Sequence, residues 1–138
     1  MYFESEKMTI DKLPDEPIIV VAILEKFNFG NDMAEGNKPA FELLDSLDSP
    51  VFWIVDLRRA NMRLGQLVTS SNIVTRGEED KRALWHHPMI KETILVSTVG
   101  MIKLAAKGLS SDVFGNLSVK AFDTLDEALE YARSKIAA

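Results

Sequence analysis

Apolar runs and the polar breaks between them divide this chain into alternating strands and helices. The run Ile18-Ile19-Val20-Val21-Ala22-Ile23-Leu24 is continuously apolar and largely β-branched, the pattern of a strand covered on both faces. Upstream of it, Met8 and Ile10, with Tyr2 and Glu4 in the same phase, alternate as a half-exposed strand does. Between the two lies Pro14-Asp15-Glu16-Pro17, which favours a turn because proline fixes φ and aspartate bonds its own backbone. An antiparallel hairpin is therefore expected, with its second strand central. Residues 28–38 hold Gly30, Gly36 and three asparagines and read as a loop. Pro39 then suits the first turn of a helix whose core face is Phe41, Leu44 and Leu47. Asp48-Ser49-Pro50 ends that helix, and Val51 to Val55 is a second continuous apolar run closing at Asp56.

Helical spacing resumes in Met62, Leu64, Leu67, Val68 and Ile73, with Gly77 placed as a C-terminal cap. Trp85-His86-His87-Pro88 reads as a packed corner leading into a third buried strand at Ile94-Leu95-Val96, flanked by Thr93, Ser97, Thr98 and Val99. Gly100 opens another helix through Met101, Leu104, Ala105 and Leu109. A last short strand is expected at Val119, Ala121 and Phe122, and Thr124 followed three residues later by Glu127 has the spacing of a capping box. In the helix it opens, Leu125, Ala128, Leu129, Ala132 and Ile136 fall on one face, and Asp126, Glu127, Glu130, Arg133 and Lys135 fall outside it. This order predicts an α/β fold: a mixed β-sheet with central parallel strands plus an N-terminal antiparallel hairpin, covered by about four α-helices. One domain over residues 1–138 is expected, since this length with 46% hydrophobic residues closes a single core unaided.

Charge and composition remove several function classes. With 21 Asp and Glu against 16 Lys and Arg, the net charge is -5, so the basic footprint of a phosphate-backbone binder is missing and nucleic acid is not an expected partner. There are no cysteines, which excludes a disulfide framework and thiolate chemistry and fits a reducing compartment. The first twelve residues mix Glu4, Glu6, Lys7, Asp11 and Lys12 with apolar positions, unlike the basic-then-apolar order of an export signal. The seven-residue run Ile18 to Leu24 falls far short of the roughly 20 needed to cross a bilayer. A cytoplasmic protein without a membrane span is the expectation.

Three segments carry a family likeness: Pro50-Val51-Phe52-Trp53-Ile54-Val55-Asp56-Leu57, Glu92-Thr93-Ile94-Leu95-Val96-Ser97, and Val119-Lys120-Ala121-Phe122-Asp123-Thr124-Leu125-Asp126-Glu127-Ala128-Leu129. In their order, and in the strand that ends Val-Asp-Leu-Arg, the chain resembles the STAS domain (sulfate transporter and anti-sigma factor antagonist), in particular its SpoIIAA-like branch, over roughly Ile18 to Ile136. The resemblance implies a STAS-like sheet and a regulatory role through protein contacts. Bacterial antagonists of the family carry a phosphorylatable Ser shortly after the central strand. Here that segment is Asp56-Leu57-Arg58-Arg59-Ala60-Asn61-Met62, without Ser or Thr, and Ser70 and Ser71 come later in an expected helix. Lipid-carrying relatives of the wider fold enclose an apolar cavity, which a sequence alone neither shows nor excludes.

The strand ends supply the candidate site, because open parallel sheets bind ligands at the carboxyl ends of their strands. Asp56, Arg58, Arg59, Asn61, Ser97 and Thr98 occupy such positions. Asp56 either accepts a phosphoryl group or orders its own loop. The first buried strand ends in Leu24-Glu25-Lys26-Phe27, poor equipment for the Mg²⁺ that phosphoryl chemistry needs, which favours the loop-ordering role. Arg58 and Arg59 either clamp an anion or pair with surface acids. His86 and His87 are neighbours without further His or Cys ligands, so no metal site is expected. No Gly-x-Ser-x-Gly elbow, Gly-x-Gly-x-x-Gly turn or Walker loop occurs. The chain is accordingly expected to be a non-enzymatic interaction module without a cofactor, partnered by another protein or by a second copy of itself. The alternative is a carrier or sensor of a small apolar or amphipathic, lipid-like ligand held between sheet and helices.

Overall fold

A computed structural model describes residues 2–28, 32–60, 84, 87–98 and 119–137. Its elements run β1 (Phe3–Glu4), β2 (Met8–Lys12), β3 (Ile18–Ile23), α1 (Met33–Asp45), β4 (Val51–Asp56), β5 (Ile90–Val96), β6 (Val119–Phe122) and α2 (Leu125–Ala137). The six strands form one sheet in sequence order. β1, β2 and β3 pair antiparallel, whereas β3, β4, β5 and β6 pair parallel. Both predicted features, the hairpin and the parallel centre, are present.

The parity of the buried strands assigns each residue to a face, because successive side chains point to opposite sides. Ile19, Val21, Val51, Trp53, Val55 and Leu95 share one face with Ala40, Leu43 and Leu44 of α1. Ile18, Phe52, Ile54, Ile94 and Val96 share the other with Ala128 and Ala132 of α2. The sheet is therefore covered on both sides, which is why its central strands are apolar without alternation. Small alanines on α2 let that helix approach the sheet closely. At its start, Thr124 Oγ1 accepts the Glu127 backbone N–H at 3.1 Å and donates to Glu127 Oε1, also at 3.1 Å. This is the cap the spacing predicted, closed by the hydroxyl rather than by a second bond to the backbone.

The turn before β3 uses its prolines as expected. Pro14 occupies the second position of a turn in which Glu16 N–H reaches Leu13 O at 3.5 Å, and Asp15 follows with φ 59°. Positive φ is uncommon outside glycine, and aspartate is among the residues that tolerate it.

Several expectations need correction. Residues 2–10 are not one alternating strand: Ser5 turns the chain between β1 and β2, its Oγ accepting the N–H groups of Lys7 and Met8 at 3.2 Å each. The stretch read as a loop to residue 38 is helical from Met33, so Pro39 lies inside α1 and not in its first turn. Packing explains this, since burial of Ala40, Leu43 and Leu44 outweighs local propensity. Phe41 and Leu47 are only partly buried. Gly36, read as a loop signal, marks a close approach, where an added Cβ would stand 3.0 Å from Met8 Sδ and 3.1 Å from the Phe27 ring. Ile136, placed on the core face of α2, is 39% exposed at the end of that helix. The described residues hold two helices. The helices expected around Met62 to Ile73 and Met101 to Leu109 lie outside the described residues, as do Ser70 and Ser71. No helix among the described residues is long and apolar enough to cross a membrane.

Candidate functional site

Parallel pairing aligns the carboxyl ends of β3 to β6 along one edge of the sheet. Ala22 pairs with Asp56, Asp56 with Val96, and Val96 with Phe122. Backbone bonds continue this alignment past the strands, from Leu57 N to Val96 O at 2.8 Å and from Ser97 N to Phe122 O at 2.9 Å. The candidate residues Asp56, Arg58 and Ser97 are thus brought to one edge.

Asp56 orders the loop that it opens. Its Oδ1 accepts the Arg58 backbone N–H at 3.1 Å and Arg58 Nε at 2.9 Å, and its Oδ2 accepts Arg58 Nη2 at 2.7 Å. The carboxylate therefore caps the turn and clamps the guanidinium fork at once. Burial, the largest single influence, pushes the Asp56 carboxyl up, but the side-chain and backbone bonds from Arg58 together outweigh it and leave the group below the usual range. Arg58 is pushed further up by the same pair, with Asp126 at the start of α2 adding to the effect. Arg59 faces Glu25 beyond β3 at 3.9 Å, an exposed and loose ion pair. Ser97 is 1% exposed and belongs to the packed floor, whereas Thr98 is exposed. Asn61 lies outside the described residues.

This arrangement limits the chemistry. The Nε–Nη2 edge of Arg58 is already matched by Asp56, so an incoming anion would meet only the remaining Nη donors of a guanidinium whose charge is already paired. Both arginines pair with acids of the chain. Among the described residues no group of three or more His, Asp or Glu could hold a metal ion.

Three polar assemblies escaped the sequence because their partners lie far apart along the chain. Lys7 Nζ reaches Asp32 Oδ1 at 3.0 Å, and Asp32 Oδ2 accepts the Asn28 N–H at 2.8 Å. These bonds, the Asn28 backbone bond first and the Lys7 side chain second, hold the Asp32 carboxyl below its usual range. Beside them opens a cleft of about 180 Å³ between the β1–β2 turn and the start of α1, lined by Phe3, Met8, Phe27 and Gly36 with Lys7 and Glu35. The second assembly is a buried imidazole: His87 Nε2 lies 2.8 Å from Asp45 Oδ1, and His87 Nδ1 accepts the Met89 N–H at 3.0 Å. The third joins Tyr131 of α2 to Glu92 of β5, where burial first and the Glu92 bond second push the phenol up to about 12. Period-2 and period-3.6 patterns carry no information on such pairings. A proline corner after two histidines was the one local signal, and His87 does occupy a packed corner there.

A mixed sheet of this order, with helices on both faces, is a SpoIIAA-like fold. A solved structure from Shewanella loihica PV-4, an uncharacterised protein of the DUF3478 family described as having a SpoIIAA-like fold, superposes with a TM-score of 0.55 at 12% identity, covering 96% of this chain and 98% of that one. No family model matches the chain, and no curated protein matches it in sequence.

Proposed function

We propose that this chain is a non-enzymatic, STAS-like regulatory module that acts through contacts with another protein or with a second copy of itself. The observation that carries the reading is the self-satisfied strand-end edge. The place where this fold class presents ligands is occupied by an internal Asp56–Arg58 clamp, with the exposed Arg59–Glu25 pair beside it. Such an edge offers a partner a charged, mixed-sign rim. The segment after Asp56 has no Ser or Thr through Met62, so regulation of the partner would not use a phosphorylated residue at that position.

The alternative is the carrier of a small apolar or amphipathic ligand; among the described residues, the cleft beside α1, at about 180 Å³, is smaller than the roughly 300 Å³ at which ligand pockets begin. Native mass spectrometry of the purified chain separates the two. The proposal expects the bare polypeptide mass, or an integral multiple of it. A stoichiometric small molecule that survives purification would favour the carrier and overturn the module.

A further inference from the structure

We propose that His87 is a proton-operated latch, which releases the β4–β5 corner and tightens its existing hold on α1 when it takes up a second proton. The hydrogen bonds fix the neutral form. Nδ1 accepts the Met89 backbone N–H at 3.0 Å, so Nδ1 carries no proton, and the proton on Nε2 is donated to Asp45 Oδ1 at 2.8 Å. The imidazole side chain is 4% exposed, so neither bond is made readily to water instead. The same ring ties two elements together: the last residue of α1 through Asp45, and the entry to β5 through Met89.

Both peptide groups of Met89 are engaged at that entry. Its N–H is held by His87, and its carbonyl accepts the Val51 N–H at 2.8 Å. The pairing of β4 with β5 shifts register immediately beyond, where Val51 faces Ile90 but Phe52 faces Glu92. Lys91 is therefore an extra residue in β5, and the corner held by His87 sets the frame from which this irregular pairing starts.

A proton from solvent that binds the Nδ1 lone pair removes the acceptor of the Met89 N–H and leaves two N–H groups facing each other. That bond must break. The new charge lies beside the Asp45 carboxylate, which strengthens the contact to α1 into a charge-assisted bond. Asp45 itself is 47% exposed, so the carboxylate that faces Nε2 stays in contact with solvent. Phe41 closes another side, with its ring centre 6.2 Å from the imidazole. Lys38 and Glu42, the neighbouring charged residues of α1, are exposed, and within the described corner Leu84, Pro88 and Met89 bring no ionisable side chain. Among the described residues, Asp45 is thus the charged partner that decides where the protonated ring is held.

Nuclear magnetic resonance of the ¹⁵N-labelled chain tests this. At neutral pH the His87 ring should show a bare Nδ1 and a protonated Nε2. On acidification, the Met89 amide should move with the same midpoint as the ring. His87→Asn places an unprotonatable carbonyl oxygen where Nδ1 stood, so its Met89 amide should stay still over that range. If His87→Asn does not fold, Asp45→Asn, at a half-exposed position, should shift both midpoints together to lower pH. A Met89 amide that stays still while His87 titrates would overturn the latch. So would the same movement in His87→Asn, common midpoints unmoved by Asp45→Asn, or a ring that stays neutral until the chain unfolds.

Discussion

At the scale of single residues, the Asp56 carboxylate shows how geometry decides charge. Burial alone would favour its neutral form, and the Arg58 bonds reverse that. Because the folded value lies below the unfolded one of about 3.9, the stabilisation is complete above the unfolded value and is lost as pH falls through the folded one. Asp56→Asn keeps an acceptor for the Arg58 N–H but removes the charge. Arg58 is 43% exposed, so the charge should contribute under about 1 kcal/mol. The difference in urea midpoint between the two proteins should be constant above about pH 5 and shrink below about pH 4. A difference that grows in acid would contradict the clamp. Tyr131 gives the opposite sign, since its phenol is pushed up to about 12 and the unfolded value is about 10. Its contribution is complete below the unfolded value and is lost as pH rises through the folded one. Tyr131→Phe should therefore flatten the stability loss between about pH 10 and 12, measured by the same denaturation at stepped pH. In the sequence Asp56 was legible as a strand-end carboxylate, because a β-branched run stops there. Its partner was only half legible, since the step from a two-residue spacing to a bidentate clamp depends on the turn between them.

At the scale of elements, the end signals proved more informative than the interior ones. Thr124 and Glu127 announce α2 because a cap is a local bond between near neighbours. Thr124→Ala should lower stability by about 1 kcal/mol, seen as a lower denaturation midpoint, and should spare the sheet. No loss would mean that packing alone starts the helix. The start of α1 was missed for the complementary reason. Asp32, at its N-cap, makes no capping bond and instead reaches Lys7 and Asn28, while Gly36 and Pro39 speak locally for a loop. What makes this segment helical is contact with Phe27 just before it and with Met8 of β2 far back along the chain, neither of which its own pattern reveals. In the turn before β3, Asp15 holds φ 59°, so Asp15→Gly should relieve strain and stabilise the protein by several tenths of a kcal/mol to about 1 kcal/mol.

At the scale of the whole molecule, the account rests on β3, β4 and β5 lying side by side between two helical layers. These three strands were legible because burial on both faces writes itself as an uninterrupted apolar run. The alternation of strand and helix then left few topologies to choose from. What the sequence could not supply was the assignment of faces, which follows from register: Trp53 falls on the α1 side and Phe52 on the α2 side. Trp53, 1% exposed, should be the most sensitive position, with Trp53→Ala costing about 3–5 kcal/mol. The strand-end edge inherits its arrangement from the same register, so the functional proposal stands or falls with it. The most direct test is a set of inter-strand nuclear Overhauser contacts in the labelled protein. The account predicts contacts joining Val21 to Val55 and Val55 to Leu95, the pairs that parallel pairing places opposite one another. Contacts that instead show antiparallel pairing of these strands, or none between β4 and β5, would contradict it.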